Sequence, residues 1–377
     1  MKSLRTLVCA VATLNLMACA APPEFQQQND VDQSFVPGST TDFTFESDGL
    51  ELSGIFDLPA KGDVNAIVLI VHGYGKTNVR EWNAYADLRQ RFADIGIATA
   101  VWDKPGQGQS EGVFDINQSV FSSAQEVLDA ARYLRAIGAP GADKMGIWGV
   151  SRAGWIAPIA ISKDPSLSFW ISVSGTTAED NFAYLLLSNL LHMGGTEEQV
   201  AVLADEWRAG CEIFRTDGSY DAYLEATQNL RANTYIRNMR GEWQTRLQFV
   251  AQQLNCSAGS CKNTDDDMCS YVFIEDFDTM LSSLDIDMLA IFGEKDLNVD
   301  WQKTRSLYTS TIGQNPDATL FIASFPDADH NLNVSETGSI REMQAMTNPQ
   351  KTEGYYDVQI KWLKEHVLPP SADQSID

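Results

Sequence analysis

Histidine is the scarcest chemistry-bearing residue in this chain, with four among 377 residues, at positions 72, 192, 330 and 366. A mechanism that needs an imidazole base therefore has four candidates and no others. Positive charge is also short: 27 Lys and Arg stand against 51 Asp and Glu, for a net charge of −24. Such a surface repels nucleic acid and anionic lipid headgroups, so neither is expected as a partner, and the acidity is read as solubility. Long apolar runs are missing too, since the stretch from Leu7 to Leu16 is too short to cross a bilayer as a helix. No internal repeat is present. What the chain does have is length and apolar content: 377 residues at 44% hydrophobic suit a large α/β unit, or a core carrying an inserted subdomain.

Lys2 and Arg5 ahead of the apolar run make an export signal. It ends in Leu16-Met17-Ala18-Cys19, which resembles a bacterial lipobox, where cleavage before the cysteine is coupled to acylation of its thiol. Residues 1–18 are expected to be a signal peptide and Cys19 the lipidation site. Residues 19–40 are then a polar tether, because Pro22, Pro23 and Gln26-Gln27-Gln28 do not pack. Met17 stands where a small residue is usual, so cleavage near Ala20 or Ala21 without lipid is the alternative. Ala20 after Cys19 favours the periplasm and outer membrane, with membrane contact only through the lipid. Export leaves Cys211, Cys256, Cys261 and Cys269 for up to two disulfides, with the pairing open. Cys211 also lies on a core-facing helical stripe, where a buried thiol is the equal alternative. The spacing of the last three cysteines fits no common zinc pattern, and no metal is expected.

Phe43 and Phe45 alternate with polar residues, Asp48-Gly49 supplies a turn, and Leu50 to Leu58 alternates again, so an antiparallel hairpin should open the fold. Then the rhythm changes. Apolar runs at 66–71, 95–102, 145–150 and 169–173 alternate with helix-like stretches at 81–92 and 120–137, the pattern of a parallel sheet covered on both faces. Active sites in such sheets lie at the carboxyl ends of the strands. From 178 to 284 only amphipathic helices are expected. Thr196 with Gln199 forms a capping-box pattern ahead of a stripe through Val200, Leu203, Trp207, Cys211 and Phe214. A second stripe runs through Trp243, Leu247, Val250 and Leu254. Strands resume at 288–292 and 318–324, and 355–366 closes the chain as a helix. The expected organisation is a core at 41–177 and 285–369, a helical cap at 178–284, and a tail at 370–377.

The chemistry centres on Gly149-Val150-Ser151-Arg152-Ala153-Gly154, a small-residue turn between an apolar run and a helix-compatible stretch. A strand that turns sharply into a helix projects one serine Oγ alone, which makes Ser151 a candidate nucleophile. Such a serine needs a base, an acid that orients the base, and two N–H groups for the oxyanion. His330 follows the last strand by a few residues and is the candidate base. His192 and His366 suit packing or surface roles better. Asp296, in Phe292-Gly293-Glu294-Lys295-Asp296, emerges at the same sheet edge as candidate acid, with Glu294 and Asp300 as competitors. The glycines of Val71-His72-Gly73-Tyr74-Gly75 let backbone approach a ligand, so Tyr74 N–H and Arg152 N–H are the candidate oxyanion donors. His72 should brace that loop by hydrogen bonding. The Arg152 side chain is expected to contribute little there, with a salt bridge to the cap as its other reading.

Taken in order, HGYG at 72–75, WDKPGQGQSEG at 102–112, GVSRAG at 149–154, GEKD at 293–296 and DADH at 327–330 resemble the α/β-hydrolase superfamily. The resemblance covers residues 42–177 and 285–369, the core but not the cap, and is nearest to lysophospholipase-like and serine-aminopeptidase-like members. It implies an α/β fold with a helical cap inserted before the acid-bearing strand, and a Ser151–His330–Asp296 triad needing no cofactor. It also implies a structural role for the turn at 103–110. Ala153 departs from the usual glycine, which weakens tight helix-to-strand packing, and Gly154 compensates in part. The activity implied is hydrolysis of a small carboxylic ester through an acyl-enzyme. A serine exopeptidase acting on short peptides is the alternative, its ammonium anchor sought among Glu179, Asp180, Glu197, Glu198, Asp205 and Glu206. A lipoprotein binding module without turnover is the third reading.

Overall fold

Asp48 and Gly49 both take left-handed backbone, at φ 49° and 76°, as a two-residue hairpin turn demands. They join β1 (Thr40–Ser47) antiparallel to β2 (Leu50–Asp57), with Ser47 opposite Leu50. The computed structural model describes residues 35–116, 118–177, 181–240, 243, 245–257, 274 and 276–369. Beyond the hairpin the chain alternates: β3 (Ala66–Val71), α1 (Ala86–Ala93), β4 (Ile97–Trp102), α2 (Val120–Ala136), β5 (Met145–Val150), α3 (Ala153–Lys163) and β6 (Leu167–Val173). Among the described residues seven helices follow: α4 (Asn181–His192), α5 (Glu197–Arg215), α6 (Tyr220–Ala226), α7 (Gln228–Ala232), α8 (Thr234–Arg240), α9 (Arg246–Ser257) and α10 (Phe277–Ser282). The chain then returns through β7 (Asp287–Gly293), α11 (Trp301–Ser310), β8 (Thr319–Phe325), α12 (Ile340–Ala345) and α13 (Tyr355–Trp362).

One eight-stranded sheet results, in the order β1-β2-β4-β3-β5-β6-β7-β8, antiparallel from β1 to β4 and parallel from there on. β3 shows why the sequence builds it. Ile67, Leu69 and Val71 pack with α2 and α3 on one face, while Ala66, Val68 and Ile70 pack with α1 and α13 on the other. Both faces are dry, so the strand reads as an unbroken apolar run. Each buried Val, Leu or Ile contributes about 1.5–3 kcal/mol relative to exposure.

Three local expectations need correction. The helix expected from Glu81 begins only at Ala86, because Asn83 and Tyr85 adopt φ 44° and 58°, outside helical geometry. The closing helix ends its α-helical part at Trp362 and continues as a π-helical turn to Val367. In α9 the expected stripe points the wrong way: Leu247 is 80% exposed, whereas Phe249 is fully buried. The ring of Phe249 meets Phe214 edge-on and lies beside Tyr220 and Tyr223, and that aromatic cluster fixes the helix rotation.

The first cap stripe holds. Leu203, Trp207, Cys211 and Phe214 form the cap's own core with Leu186, Leu190 and Ile236, and both halves of the Thr196/Gln199 capping box are made. Cys211 is a buried free thiol in that core, so the disulfide reading of this residue is set aside. Cys19, Cys261 and Cys269 lie outside the described residues, as does the side chain of Cys256. The signal and nearly all of the tether, residues 1–34, and the tail, residues 370–377, lie outside them as well. Among the described residues no helix is long and apolar enough to cross a membrane, and no group of three His, Cys, Asp or Glu could hold a metal ion.

Candidate active site

β5 passes into α3 through Ser151, whose φ of 56° lies in the left-handed region. A serine there costs about 1–3 kcal/mol of backbone strain, which the surrounding packing must offset. Two bonds hold the turn: Ser151 N–H donates to Val173 O at 2.9 Å, and Gly154 N–H to Ser151 O at 2.8 Å. Small residues are required on every side. A Cβ on Gly154 would come within 2.5 Å of Thr176 N, and one on Gly149 within 2.6 Å of the Ala153 Cβ. Ala153 therefore fits because Gly149 faces it, and Gly154 makes the close approach of α3 to the segment after β6. Gly73 lies against the nucleophile candidate, with an added Cβ 3.3 Å from Ser151 Cβ.

Asp296 and His330 are joined directly, His330 Nδ1 donating to Asp296 Oδ2 at 2.8 Å. The other oxygen, Oδ1, accepts from Asn298 N at 2.8 Å and Val299 N at 2.9 Å, so the carboxylate is held at both ends and its residue is 1% exposed. Its competitors are occupied elsewhere. Glu294 accepts from Ser324 Oγ, and Asp300 caps α11 by accepting from Lys303 N. Burial alone would lower the His330 pKa. The Asp296 charge and hydrogen bond, with the Asp329 charge beyond, outweigh burial and hold it above its ordinary 6.5.

Ser174, at the end of β6, links base and nucleophile. Its Oγ donates to His330 O at 2.8 Å and its N–H to Ile291 O at 2.8 Å, while the preceding residue, Val173, accepts from Ser151. The three candidates thus follow the carboxyl ends of β5, β7 and β8, and Ser174, after the intervening β6, ties the His330 loop to the turn at Ser151. Among the described contacts no hydrogen bond joins Ser151 Oγ to the imidazole, and such contacts commonly tighten only with substrate in place. The cap also reaches the acid's loop: Tyr184 Oη donates to Asp296 O at 3.0 Å and Ser188 Oγ to Leu297 O at 2.7 Å, both from α4.

The loop after β3 forms the opposite wall. His72 is buried, with Nε2 2.7 Å from Trp102 O and Nδ1 3.2 Å from Tyr85 Oη, which braces the loop. Burial first, and the nearby Lys104 charge second, lower its pKa to about 3. Lys104 Nζ in turn donates to Gly73 O at 2.5 Å and Gly75 O at 2.9 Å. Arg152 is the N-cap of α3 and follows Ser151 directly, which places its N–H beside that serine. Its guanidinium is buried in the core, donating to Ser123 Oγ and Gln118 O near the start of α2. Its cationic face also lies over the Tyr74 ring, 5.4 Å from the centroid. His192 is exposed at the end of α4, and His366 stacks on Phe321 at 4.3 Å, away from this site. A cavity of about 440 Å³ lies on the α1 and α13 side of the sheet, lined in part by Tyr85, Leu88, Trp148, Asn331 and Tyr355, and none of Ser151, Asp296 and His330 lines it.

The fold agrees with that of a solved structure. An esterase from Pyrococcus furiosus superposes with a TM-score of 0.50 at 12% identity, over 87% of this chain and 92% of that one. The chain has the α/β-hydrolase fold. An acylaminoacyl peptidase from Pyrococcus horikoshii is also similar, at a TM-score of 0.46 and 14% identity, over 88% of this chain and 42% of that one. In sequence, residues 62–194 match the family described as serine aminopeptidase, S33. No curated protein matches the chain. The family match and the hydrolase fold support a serine hydrolase. Sequence reasoning did not single out Ser174, Tyr184 or a site role for Lys104. Only Lys104 carried a signal, as a cation directly after a strand's carboxyl end.

Proposed function

We propose that this protein hydrolyses small carboxylic esters through an acyl-enzyme on Ser151. The observation that carries the reading is the Asp296–His330 pair, buried and 2.8 Å apart, tied through Ser174 and Val173 to a serine in left-handed backbone. Asp296 fixes the proton on Nδ1, so Nε2 is the basic nitrogen. In acylation Nε2 takes the Ser151 Oγ proton as Oγ attacks the ester carbonyl. The Tyr74 and Arg152 N–H groups stabilise the oxyanion, and the imidazolium returns the proton to the departing alcohol. In deacylation water replaces the alcohol: Nε2 takes its proton, the hydroxide attacks the acyl carbon, and Ser151 Oγ leaves with the proton. Purified protein should turn over p-nitrophenyl acyl esters, and Ser151→Ala should lower kcat by at least about 10⁴-fold. Intact turnover in that variant sinks the reading. Failure of a fluorophosphonate probe to label Ser151 in folded protein would favour a binding module instead.

A second reading, peptide release by an exopeptidase, is favoured by the matched family's description. It needs a carboxylate facing the site for the substrate's ammonium group. Glu197, Glu198 and Asp205 face solvent, and Glu206 is taken up by Asn229 Nδ2 and Leu230 N. Glu179 and Asp180 lie outside the described residues. Comparing aminoacyl-naphthylamides with short acyl esters decides between the two. For location, the proposal is a lipid on Cys19 holding the enzyme in the periplasm or at the outer membrane. Labelled palmitate should be incorporated by the chain and lost in Cys19→Ser.

A further inference from the structure

We propose that Lys104 is a positioning residue for the oxyanion loop, holding Tyr74 N–H in its catalytic orientation by gripping the carbonyls on either side of that residue. The inference rests on the serine-hydrolase reading above and adds a residue that the glycine-rich turn after β4 had seemed to need only for shape.

The geometry is specific. Lys104 follows β4 by two residues, and its own N–H is tied to Thr77 Oγ1 at 2.9 Å, on the far side of the oxyanion loop. Its ammonium then reaches back to Gly73 O at 2.5 Å and Gly75 O at 2.9 Å. Gly73 O and Tyr74 N–H belong to one peptide plane. In a trans peptide they point in opposite directions, so fixing the carbonyl toward Lys104 turns the N–H away from it. Gly73 packs on Ser151, which sets that plane beside the reacting serine.

Such a grip has work to do. Gly75 sits at φ 92°, and a loop built on two glycines explores many conformations unless something removes them. A buried ammonium is costly, and this one is stabilised by two carbonyls and by the carboxyl of Glu126 nearby. The same charge reaches His72, which it helps to keep neutral. A cation within the floor of the loop also lends positive potential where the oxyanion develops.

The test uses the full chain carrying Lys104→Met or Lys104→Arg. Steady-state kinetics on a p-nitrophenyl ester are set beside the affinity for butylboronic acid, which forms a tetrahedral serine adduct, and for butyrate, which does not. Lys104→Met should lower kcat by roughly 10²-fold with KM changed less than about threefold, the size of one lost oxyanion donor. Boronic acid affinity should fall in parallel and butyrate affinity should hold. Lys104→Arg, which keeps the charge and the donors, should recover about tenfold or more of the kcat. Amide exchange over residues 73–76 should quicken in Lys104→Met and return in Lys104→Arg. If Lys104→Met does not fold, Lys104→Gln, with one neutral donor, carries the same measurements. Unchanged kcat and boronic acid affinity overturn the proposal, as does a kcat loss without a matching loss of boronic acid affinity. If the wild type neither turns over esters nor labels at Ser151, the hydrolase reading fails separately, and unchanged amide exchange in Lys104→Met then overturns the bracing itself.

Discussion

Two loops of one sheet carry a buried histidine each, and they have opposite chemistry. His72 follows β3 directly and His330 follows β8, and both residues are 8% exposed. Burial therefore does not separate them. His72 lies near the Lys104 ammonium and has both nitrogens occupied: Nε2–H donates to Trp102 O, a carbonyl that can only accept, so Nδ1 accepts from Tyr85 Oη. It is a neutral strut. His330 lies between Asp296 and Asp329, donates from Nδ1, and leaves Nε2 for a proton. Its pKa is held up where that of His72 is pushed down to about 3. The sign of the neighbouring charge makes one imidazole a brace and the other a base.

The sharpest way to break this comparison is to remove each ring in turn. His330→Gln should lower kcat by about 10⁴–10⁶-fold with the fold intact, since a triad base acts as a unit with its serine. His72→Gln should instead cost about 1–3 kcal/mol of stability through its lost hydrogen bonds, with a far smaller loss of kcat. Steady-state kinetics and urea unfolding on both variants give the answer. Equal kcat losses would mean that His72 is more than a brace.

The contrast between the loops was only partly legible in the sequence. The strands were, because β3 and β5 are buried on both faces and so read as continuous apolar runs, and the residue after each run falls at the sheet's carboxyl edge. That rule alone brought Ser151, Asp296 and His330 to one edge. Choosing Asp296 over Glu294 and Asp300 needed the fold, since only spatial contact shows which carboxylate meets the imidazole. The contacts of the Arg152 side chain could not be read. That side chain turns inward to α2, through partners some thirty residues away in sequence, and nothing local to Ser151 announces them. In the cap, periodicity found α5 but misjudged the face of α9, where the aromatic cluster around Phe249 outweighs the apolar spacing of Leu247 and Val250. Ser174 escaped notice because a buried serine at a strand end has no distinguishing pattern until its hydroxyl is seen on His330 O.

A second, smaller effect sharpens the comparison through stability. The pKa of His72 is about 3 in the folded state, against 6.5 when unfolded. Between those values the unfolded chain binds a proton that the folded chain does not, so stability falls as pH falls through this window. From pH 6.5 to about 5, above most carboxylate titrations, the loss should be about 2 kcal/mol. His330 has the opposite sign. Its raised pKa gives stability that is present below 6.5 and lost as pH rises through the folded value. Urea unfolding across pH 5–8 should show His72→Gln flattening the acid slope and His330→Gln flattening the alkaline one. Identical slopes in both variants would mean that the two histidines do not differ in charge environment.

The smallest effect concerns Asp329, the weaker of the two carboxylates that raise His330. Its residue is fully buried, and Oδ1 accepts from Asn331 N at 2.8 Å and Asn333 N at 2.9 Å. Oδ2 is buried with no hydrogen-bond partner among the described residues. Asn fits the same frame, with Oδ1 keeping both amides and the NH2 group taking the place of an oxygen that already made no bond. Asp329→Asn should therefore leave the loop in place while removing one negative charge near the base. The base must be neutral to act, so kcat/KM rises with pH along an acid limb that reports the His330 pKa in the free enzyme. With Asp329 gone, burial opposes only Asp296, and the limb should move to lower pH. The variant would then retain more of its plateau rate at pH 6 than the wild type does. A pH–rate profile on one p-nitrophenyl ester reads the shift. A limb that stays put or moves upward would show that Asp296 alone sets the basicity of His330, and that the charge contrast between the two histidine loops rests on one carboxylate.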